Sequence, residues 1–316
     1  MGGCPLKFKT TLEYGLYKVY PRAFEYCVAE STEDAIMMLS SCGEGAKLLA
    51  GGQSLIPLMK LRLTSPRWLI DIGRLAELAY MQEDSTSLRI GALTSHQSVL
   101  ESRLIREKYP LIADAVSVIG DSQVRNWGTL GGALAEADPA GDWGPVALAL
   151  NARIRCISPR DERIHDADSF FVDAYTTRLA HDEIIREVIF PTPPPGQCGA
   201  YVKLERRAGD FAVASVGVRL VMDDKKVCRE ASIALGAAGL TPIQAPDAAS
   251  FLTGKEIRPD IILEAAQRLG AAAEPIEDIR GSQDYKRAAL TSIFKQAVAM
   301  ALRRSQGEIL QAGHVH

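Results

Sequence analysis

The chain has 316 residues, of which 47% are hydrophobic and 24% charged, a composition typical of globular proteins and a length sufficient for two or three packed units. Its formal net charge is −3 at pH 7, and the basic residues are dispersed along the sequence, so the chain offers no electrostatic surface for nucleic acid. We therefore expect a folded protein of more than one unit that has no nucleic-acid partner.

The cysteine pattern gives no sign of a metal site. None of the six cysteines belongs to a Cys-x-x-Cys pair or to a Cys/His spacing that zinc or iron–sulfur clusters require, so we predict no bound metal. Reduced thiols in a cytoplasmic protein are the simpler interpretation.

The first eleven residues lack the apolar core of a secretory signal, and no apolar run reaches the roughly 18 residues of a membrane span. We expect a cytoplasmic location.

The first predicted elements follow an amino-terminal extension over residues 1–17. Ser31, with Asp34 three residues later, predicts the start of a helix, and Gly43 predicts its end. A strand over 47–49 then leads into the segment AGGQSL, residues 50–55. Two glycines let the backbone turn sharply, and successive amides can point into one concavity that suits a phosphate.

A second glycine-rich segment of similar character, residues 128–132 (GTLGG), leads into residues 137–142 (ADPAGD). Either segment alone is most often a tight turn or a close packing point, but the two together suggest a ligand with two phosphates. Neither has the spacing of the Rossmann fingerprint or of the Walker A loop. The usual dinucleotide fold is therefore not indicated.

The remaining pattern predicts a mixed fold. Helices are expected over 57–63, after a cap at Thr94 or Ser95, over 110–119, and after an N-cap at Asp142. Strands are expected over 68–72, 88–92, 153–157 and 183–190. The proline-rich residues 191–196 mark a domain boundary. Strands over 200–204, 211–221 and 231–235 then read as an antiparallel sheet, followed by helices over 248–252, 259–269 and 285–304, an α+β order. Residues 306–316, with His314 and His316, are expected to form a solvated tail.

Three segments carry a family resemblance. Residues 50–59 (AGGQSLIPLM), 125–142 (RNWGTLGGALAEADPAGD) and 201–212 (YVKLERRAGDFA) resemble, in order and spacing, the FAD-binding medium subunit of molybdenum hydroxylases. That family includes the flavoprotein subunits of aerobic carbon monoxide dehydrogenase and of bacterial xanthine dehydrogenases. The resemblance covers residues 19 to about 304.

The resemblance implies an α+β fold in two parts. A PCMH-type FAD-binding domain, of the vanillyl-alcohol oxidase type, would occupy residues 18–195 as two subdomains with the flavin between them. A domain like the carboxy-terminal domain of the carbon monoxide dehydrogenase flavoprotein would occupy residues 196–305.

The resemblance also implies where FAD is bound. The segment that starts at Lys47 would wrap the pyrophosphate with backbone amides, and Thr129 and Gly132 would approach it from the other side. Asp142 would bind a ribose hydroxyl, and Lys203 would lie near the pyrimidine end of the isoalloxazine. Ile184 and Ile185 would meet the isoalloxazine through their backbone, and Phe211 would lie beside it. The complete predicted set of cofactor contacts is Lys47, Leu48, Leu49, Ala50, Gly51, Gly52, Gln53, Ser54, Leu55, Ile119, Gly120, Gly128, Thr129, Gly132, Ala135, Glu136, Gly141, Asp142, Ile184, Ile185, Lys203 and Phe211.

Two positions depart from the family pattern. Ala133 stands where Asn is common, and Glu136 stands where a small or polar residue is commoner, so the adenosine half would depend more on the backbone and on Asp142. No histidine or cysteine occupies a recognisable position for a covalent flavin link. We therefore expect noncovalent FAD and assign no catalytic residue, because the flavin itself carries the redox step.

The resemblance further implies partners. A large molybdopterin subunit would perform the chemistry, a small subunit with two [2Fe-2S] clusters would deliver electrons, and the complex would be a dimer of heterotrimers. Electrons would leave FAD for NAD⁺, a quinone or dioxygen. A self-contained flavin oxidase of the same fold is the alternative, although no histidine or tyrosine cluster converges on the flavin site. A binding or assembly protein that has lost the flavin is a third possibility, which the intact glycine segments disfavour.

Overall fold

The computed structural model describes residues 20–308 and residue 310. The predicted extension over residues 1–17 lies outside the described residues, as do His314 and His316 of the predicted tail. Within the described part of the chain, no helix is both long and apolar enough to cross a lipid bilayer.

The first subdomain is a small parallel sheet with the strand order β1-β3-β2. Its helix α1 begins after Ser31, whose side chain accepts a hydrogen bond from the Asp34 amide, and ends at Gly43, where φ is +64°. Both ends are therefore where the sequence predicts them. The elements are β1 (Glu25–Val28), α1 (Thr32–Cys42), β2 (Ala46–Leu49), α2 (Leu55–Lys60) and β3 (Trp68–Asp71).

The second subdomain is built on an antiparallel sheet, and the predicted strand over 183–190 lies at its centre, in the order β4-β5-β10-β6-β7. Helices pack on this sheet around the buried rings of Trp143, Phe170 and Phe190. The elements are β4 (Met81–Glu83), β5 (Ser87–Gly91), α3 (His96–Glu101), α4 (Arg103–Lys108), α5 (Pro110–Ser117), α6 (Ser122–Trp127), α7 (Leu130–Glu136), α8 (Trp143–Ala149), β6 (Arg153–Ile157), β7 (Glu162–Asp166), α9 (Ala167–Phe170), β8 (Phe171–Asp173), β9 (Thr176–Thr177) and β10 (Ile184–Pro191).

The carboxy-terminal part is an antiparallel sheet of order β11-β12-β13-β14 whose apolar side chains pack against the helices that follow it, which confirms the predicted α+β order. The strand predicted over 211–221 begins only at Ala214, so Phe211 lies in the preceding turn. The elements are β11 (Gln197–Leu204), β12 (Ala214–Met222), β13 (Cys228–Gly236), β14 (Ile243–Gln244), α10 (Pro246–Leu252), α11 (Pro259–Ala272) and α12 (Gln283–Ser305).

A buried ion pair joins the last helix to the second subdomain. The guanidinium of Arg304, at the end of α12, donates to both carboxylate oxygens of Asp114 in α5, at 2.6 and 2.7 Å. The same carboxylate accepts a hydrogen bond from the Tyr201 amide at 3.0 Å. This pair fixes β11, and with it Tyr201 and Lys203, against the second subdomain.

Candidate functional site

The first glycine segment forms a nest of unpaired amides between β2 and α2. Throughout the described chain, the amides of residues 51–55 donate to no protein acceptor, although the neighbouring Ile56 amide donates to Gly52 O. Gly52 has φ of +71°, a conformation that favours glycine. Consecutive amides without acceptors are the donor set that binds a phosphate.

The prediction of a second glycine loop is wrong, because Gly131 and Gly132 lie in the first turn of α7. Thr129 is the N-cap of this helix, and its Oγ1 accepts a hydrogen bond from the Gly132 amide at 3.2 Å. The Leu130 and Gly131 amides donate to carbonyls of the segment before α3. The Thr129 cap and the carbonyls of the segment before α3 therefore engage the amides that a second phosphate nest would need.

The two glycine segments nevertheless lie in contact. A Cβ at Gly51 would lie 1.8 Å from the Trp127 carbonyl oxygen, and one at Gly132 would lie 4.0 Å from the Ala50 Cβ. Glycine is required at position 51 by this close approach of two backbones. The structure thus brings the second segment alongside the nest, although they are about 80 residues apart in the sequence.

A buried polar network surrounds Lys203, in the segment of residues 201–212. Lys203 Nζ lies 3.1 Å from Asp142 Oδ2 and 3.5 Å from Glu205 Oε2, and it donates to the Val118 carbonyl at 3.0 Å. Tyr201 donates its hydroxyl to Asp142 Oδ1 at 2.8 Å. Burial raises the pKa of the Asp142 carboxyl, although the Lys203 ammonium opposes this shift.

Asp142 occupies the predicted N-cap position of α8 but makes no capping bond, because Tyr201 and Lys203 engage its two oxygens. Asp142 and Lys203, which the family resemblance assigns to a ribose hydroxyl and to the pyrimidine end of FAD, thus form a direct ion pair with each other.

Ile184 and Ile185 lie where the two subdomains meet. Ile184 belongs to the core of the first subdomain and Ile185 to that of the second. Both pair with β6 on one side of β10, whereas pairing with β5 on the other side begins only at Glu187. Their backbone on that side is not covered by a strand, as a backbone contact to a ligand requires.

The segment that holds Phe211 packs against Gly120. A Cβ at Gly209 would lie 2.9 Å from the backbone of Gly120, whose φ is +50°. The Phe211 ring is 45% exposed, and the Arg280 guanidinium lies 5.6 Å from its centroid. The ring is therefore accessible to a ligand or a partner.

The other predicted contacts lie on the same elements. Lys47, Leu48 and Leu49 are on β2, and Glu136 is the last residue of α7. Burial and the charge of Asp138 raise the pKa of Glu136, and the Lys47 charge opposes this shift. The remaining predicted positions are Gly128, which precedes the Thr129 cap, Ala135 in α7 and Gly141 in the turn before Asp142.

Sequence analysis gave no role to Tyr201, Glu205 or the Val118 carbonyl. The sequence does indicate that Tyr201 and Glu205 lie beside Lys203. The three residues occupy alternate positions along β11 and its continuation, so their side chains lie on one face. The Val118 carbonyl has no sequence signal, since its position depends on how α5 packs on β11.

Comparison with known proteins identifies both parts of the chain. Residues 22–193 match the FAD binding domain in molybdopterin dehydrogenase, and residues 199–301 match the CO dehydrogenase flavoprotein C-terminal domain. The carbon monoxide dehydrogenase medium chain of Hydrogenophaga pseudoflava is 37% identical over 284 residues, 90% of this chain and 99% of the relative. The glyceraldehyde dehydrogenase medium chain of Sulfolobus acidocaldarius is 37% identical over 269 residues, 85% of this chain and 95% of the relative.

The fold agrees with a solved structure of the same type. A chain of carbon monoxide dehydrogenase from Hydrogenophaga pseudoflava, in a form that lacks the Mo-pyranopterin moiety of the molybdenum cofactor, superposes with a TM-score of 0.87. The match has 37% identity and covers 90% of this chain and 99% of that one. These matches confirm the resemblance found in the sequence and make the chain a flavoprotein subunit of an oxidoreductase. It belongs to the family of FAD-binding medium subunits of molybdenum hydroxylases.

Proposed function

We propose that this chain holds FAD noncovalently on the nest of residues 51–55 and is the subunit through which electrons leave a molybdenum hydroxylase. The observation that carries the proposal is the row of consecutive amides without protein acceptors, between β2 and α2. Such a nest binds a pyrophosphate without lysines. Bound FAD supplies the redox chemistry, and the chain's own residues supply position and electrostatics.

Lys203 supplies the positive charge that we place beside the flavin ring. A cation at the pyrimidine edge favours the reduced, anionic form of a flavin. Asp142 and the Val118 carbonyl hold the ammonium in one place, and Tyr201 holds the Asp142 carboxylate in turn. In this arrangement Tyr201 and Asp142 position Lys203, and Ile184 and Ile185 offer backbone groups to the ring.

The partners follow from the family. Medium chains are named as components of larger enzymes, and we propose an iron–sulfur small subunit as electron donor, a molybdopterin large subunit and a dimer of such heterotrimers. NAD⁺, a quinone or dioxygen would accept the electrons. Relatives named for carbon monoxide and for glyceraldehyde are equally similar to this chain, which supports placing substrate choice in the large subunit. Within the chain, we propose residues 18–195 as the FAD-binding domain and 196–305 as the carboxy-terminal domain.

The nest can be tested with two matched glycine substitutions. Gly52 and Gly43 both have positive φ, +71° and +64°, so alanine strains the backbone at each position, by about 1–3 kcal/mol. A Cβ at Gly43 meets no atom within 4 Å, and this residue lies at the end of α1, outside the nest. We expect Gly52→Ala to weaken FAD binding markedly and Gly43→Ala to leave it unchanged, as measured by fluorescence titration of the apoprotein. Equal FAD affinity in the two variants would refute the placement of FAD on this nest.

A further inference from the structure

The register of the second sheet gathers three metal-ligand side chains at one point. Cys156 lies on β6, His165 on β7, and Glu183 directly precedes β10. Their ligand atoms, one from each side chain, all lie within 4.8 Å of one another. Ile185 pairs with Cys156 and His165 pairs with Ile154, so the three side chains share one face of the sheet.

The geometry is close to that of a zinc site. Zinc binds thiolate sulfur at about 2.3 Å, imidazole nitrogen at about 2.0–2.1 Å and carboxylate oxygen at about 2.0–2.2 Å. Ligand atoms around a tetrahedral ion are thus roughly 3.5 Å apart, and the present group, whose atoms lie within 4.8 Å of one another, needs to contract by about 1.3 Å at most. Three protein ligands leave the fourth position to water.

The sulfur and nitrogen ligands are not committed to other strong bonds. His165 Nε2 is buried and makes no hydrogen bond among the described residues, and the Cys156 thiol has one long contact, 3.9 Å, to the Ile154 carbonyl. Histidine binds a metal through its neutral imidazole, and a bound cation displaces the proton of a cysteine thiol.

Glu183 is held in place by its own partners. The Arg163 guanidinium donates to both carboxylate oxygens, from Nε to Oε1 at 2.9 Å and from Nη2 to Oε2 at 2.5 Å, and the Ala180 amide donates to Oε2 at 3.0 Å. Bonds of this kind orient ligating carboxylates in metal sites. The positive charges of Arg163 and Arg178 face the same point and oppose a dication, so the affinity is expected to be lower than in a site without arginines.

We propose that Cys156, His165 and Glu183 form a Zn²⁺ site. On binding, the Cys156 thiol releases its proton to solvent, a zinc–sulfur bond forms, and no electrons are transferred. Local ligand patterns in the sequence do not indicate this metal site, because its residues are nine and 18 positions apart and meet only through strand pairing. The site does not depend on FAD, although Glu183 directly precedes Ile184.

The test is equilibrium dialysis of the purified full-length chain against Zn²⁺, with metal analysis by mass spectrometry, which bound flavin does not disturb. We expect one Zn²⁺ per wild-type chain, and a loss of affinity of more than about tenfold in Cys156→Ser and in His165→Gln. Cys198→Ser is the matched control, because Cys198, like Cys156, is a buried thiol on a strand, in this case β11. The control is expected to bind Zn²⁺ like the wild type.

Thermal unfolding with and without Zn²⁺ gives a second measurement, since a ligand that binds only the folded state raises the unfolding temperature. We expect Zn²⁺ to stabilise the wild type and Cys198→Ser but neither ligand variant. If Cys156→Ser fails to fold, the comparison of Zn²⁺ binding by His165→Gln and by the control tests the site. Absence of stoichiometric Zn²⁺ in the wild type, or equal binding by both ligand variants and the control, would overturn the proposal.

Discussion

We expect acidification to lower the free energy of unfolding through His96, a buried histidine beside the second glycine segment. His96 is 4% exposed, its Nδ1 accepts a hydrogen bond from Trp143 Nε1 at 3.1 Å, and its amide donates to the Gly128 carbonyl. A protonated Nδ1 cannot accept the Trp143 bond. Burial, assisted by the charge of Arg125, lowers the pKa of His96 from 6.5 to about 4.

The direction and size of the effect follow from these two values. Between about pH 6.5 and pH 4 the unfolded chain binds a proton at His96 and the folded chain does not, so the free energy of unfolding falls as the pH is lowered. The difference between the two pKa values corresponds to about 3 kcal/mol, of which about 2.5 kcal/mol is lost between pH 7.5 and 4.5. The contribution of His96 is complete above pH 6.5.

Urea unfolding of the wild type and of His96→Gln at several pH values between 7.5 and 4.5 measures this contribution. Other carboxyl groups titrate in the same range, so the informative quantity is the difference in unfolding free energy between the two proteins. We expect this difference to fall by about 2.5 kcal/mol as the pH is lowered. A difference that stays constant over the range would show that His96 is not held neutral in the folded protein and would refute the reasoning.

Three further predictions concern the flavin, the domain contact and the partners. Lys203→Met should lower the reduction potential of bound FAD in spectroelectrochemical titration, and adding Asp142→Asn should reverse part of the shift because it removes the carboxylate left unpaired. Arg304→Met should lower the free energy of unfolding by about 3–5 kcal/mol in urea titrations, because it leaves the Asp114 carboxylate buried without its ion partner. The chain should copurify with an iron–sulfur subunit and a molybdopterin subunit, whereas turnover of a small organic substrate by the isolated chain would favour a self-contained flavin oxidase.

Features that depend on neighbouring residues were predictable from the sequence. Helix α1 begins after Ser31 and ends at Gly43, because capping and glycine conformation are local properties of the chain. The antiparallel carboxy-terminal sheet was predictable for the same reason, since runs of β-branched residues specify strands. The first glycine segment was recognised through Gly51 and Gly52, and the family resemblance identified its ligand.

Features that depend on packing were not predictable. A glycine pair favours a loop in isolation, but Thr129 caps a helix that starts before Gly131. The ion pair between Asp142 and Lys203 joins residues 61 positions apart, and neither sequence spacing nor the separate roles implied by the family indicates it. Contacts across the fold decide which polar groups remain available to a ligand, and sequence patterns describe only the groups that are present.

If this chain is built around bound FAD, the flavin content of the purified protein shows it most directly. Acid precipitation should release FAD and no FMN, in a ratio of one FAD per chain, because the amide nest and the family both indicate a dinucleotide. Chromatography of the released flavin against both standards gives its identity and amount. Colourless protein that cannot be reconstituted with FAD would contradict the account.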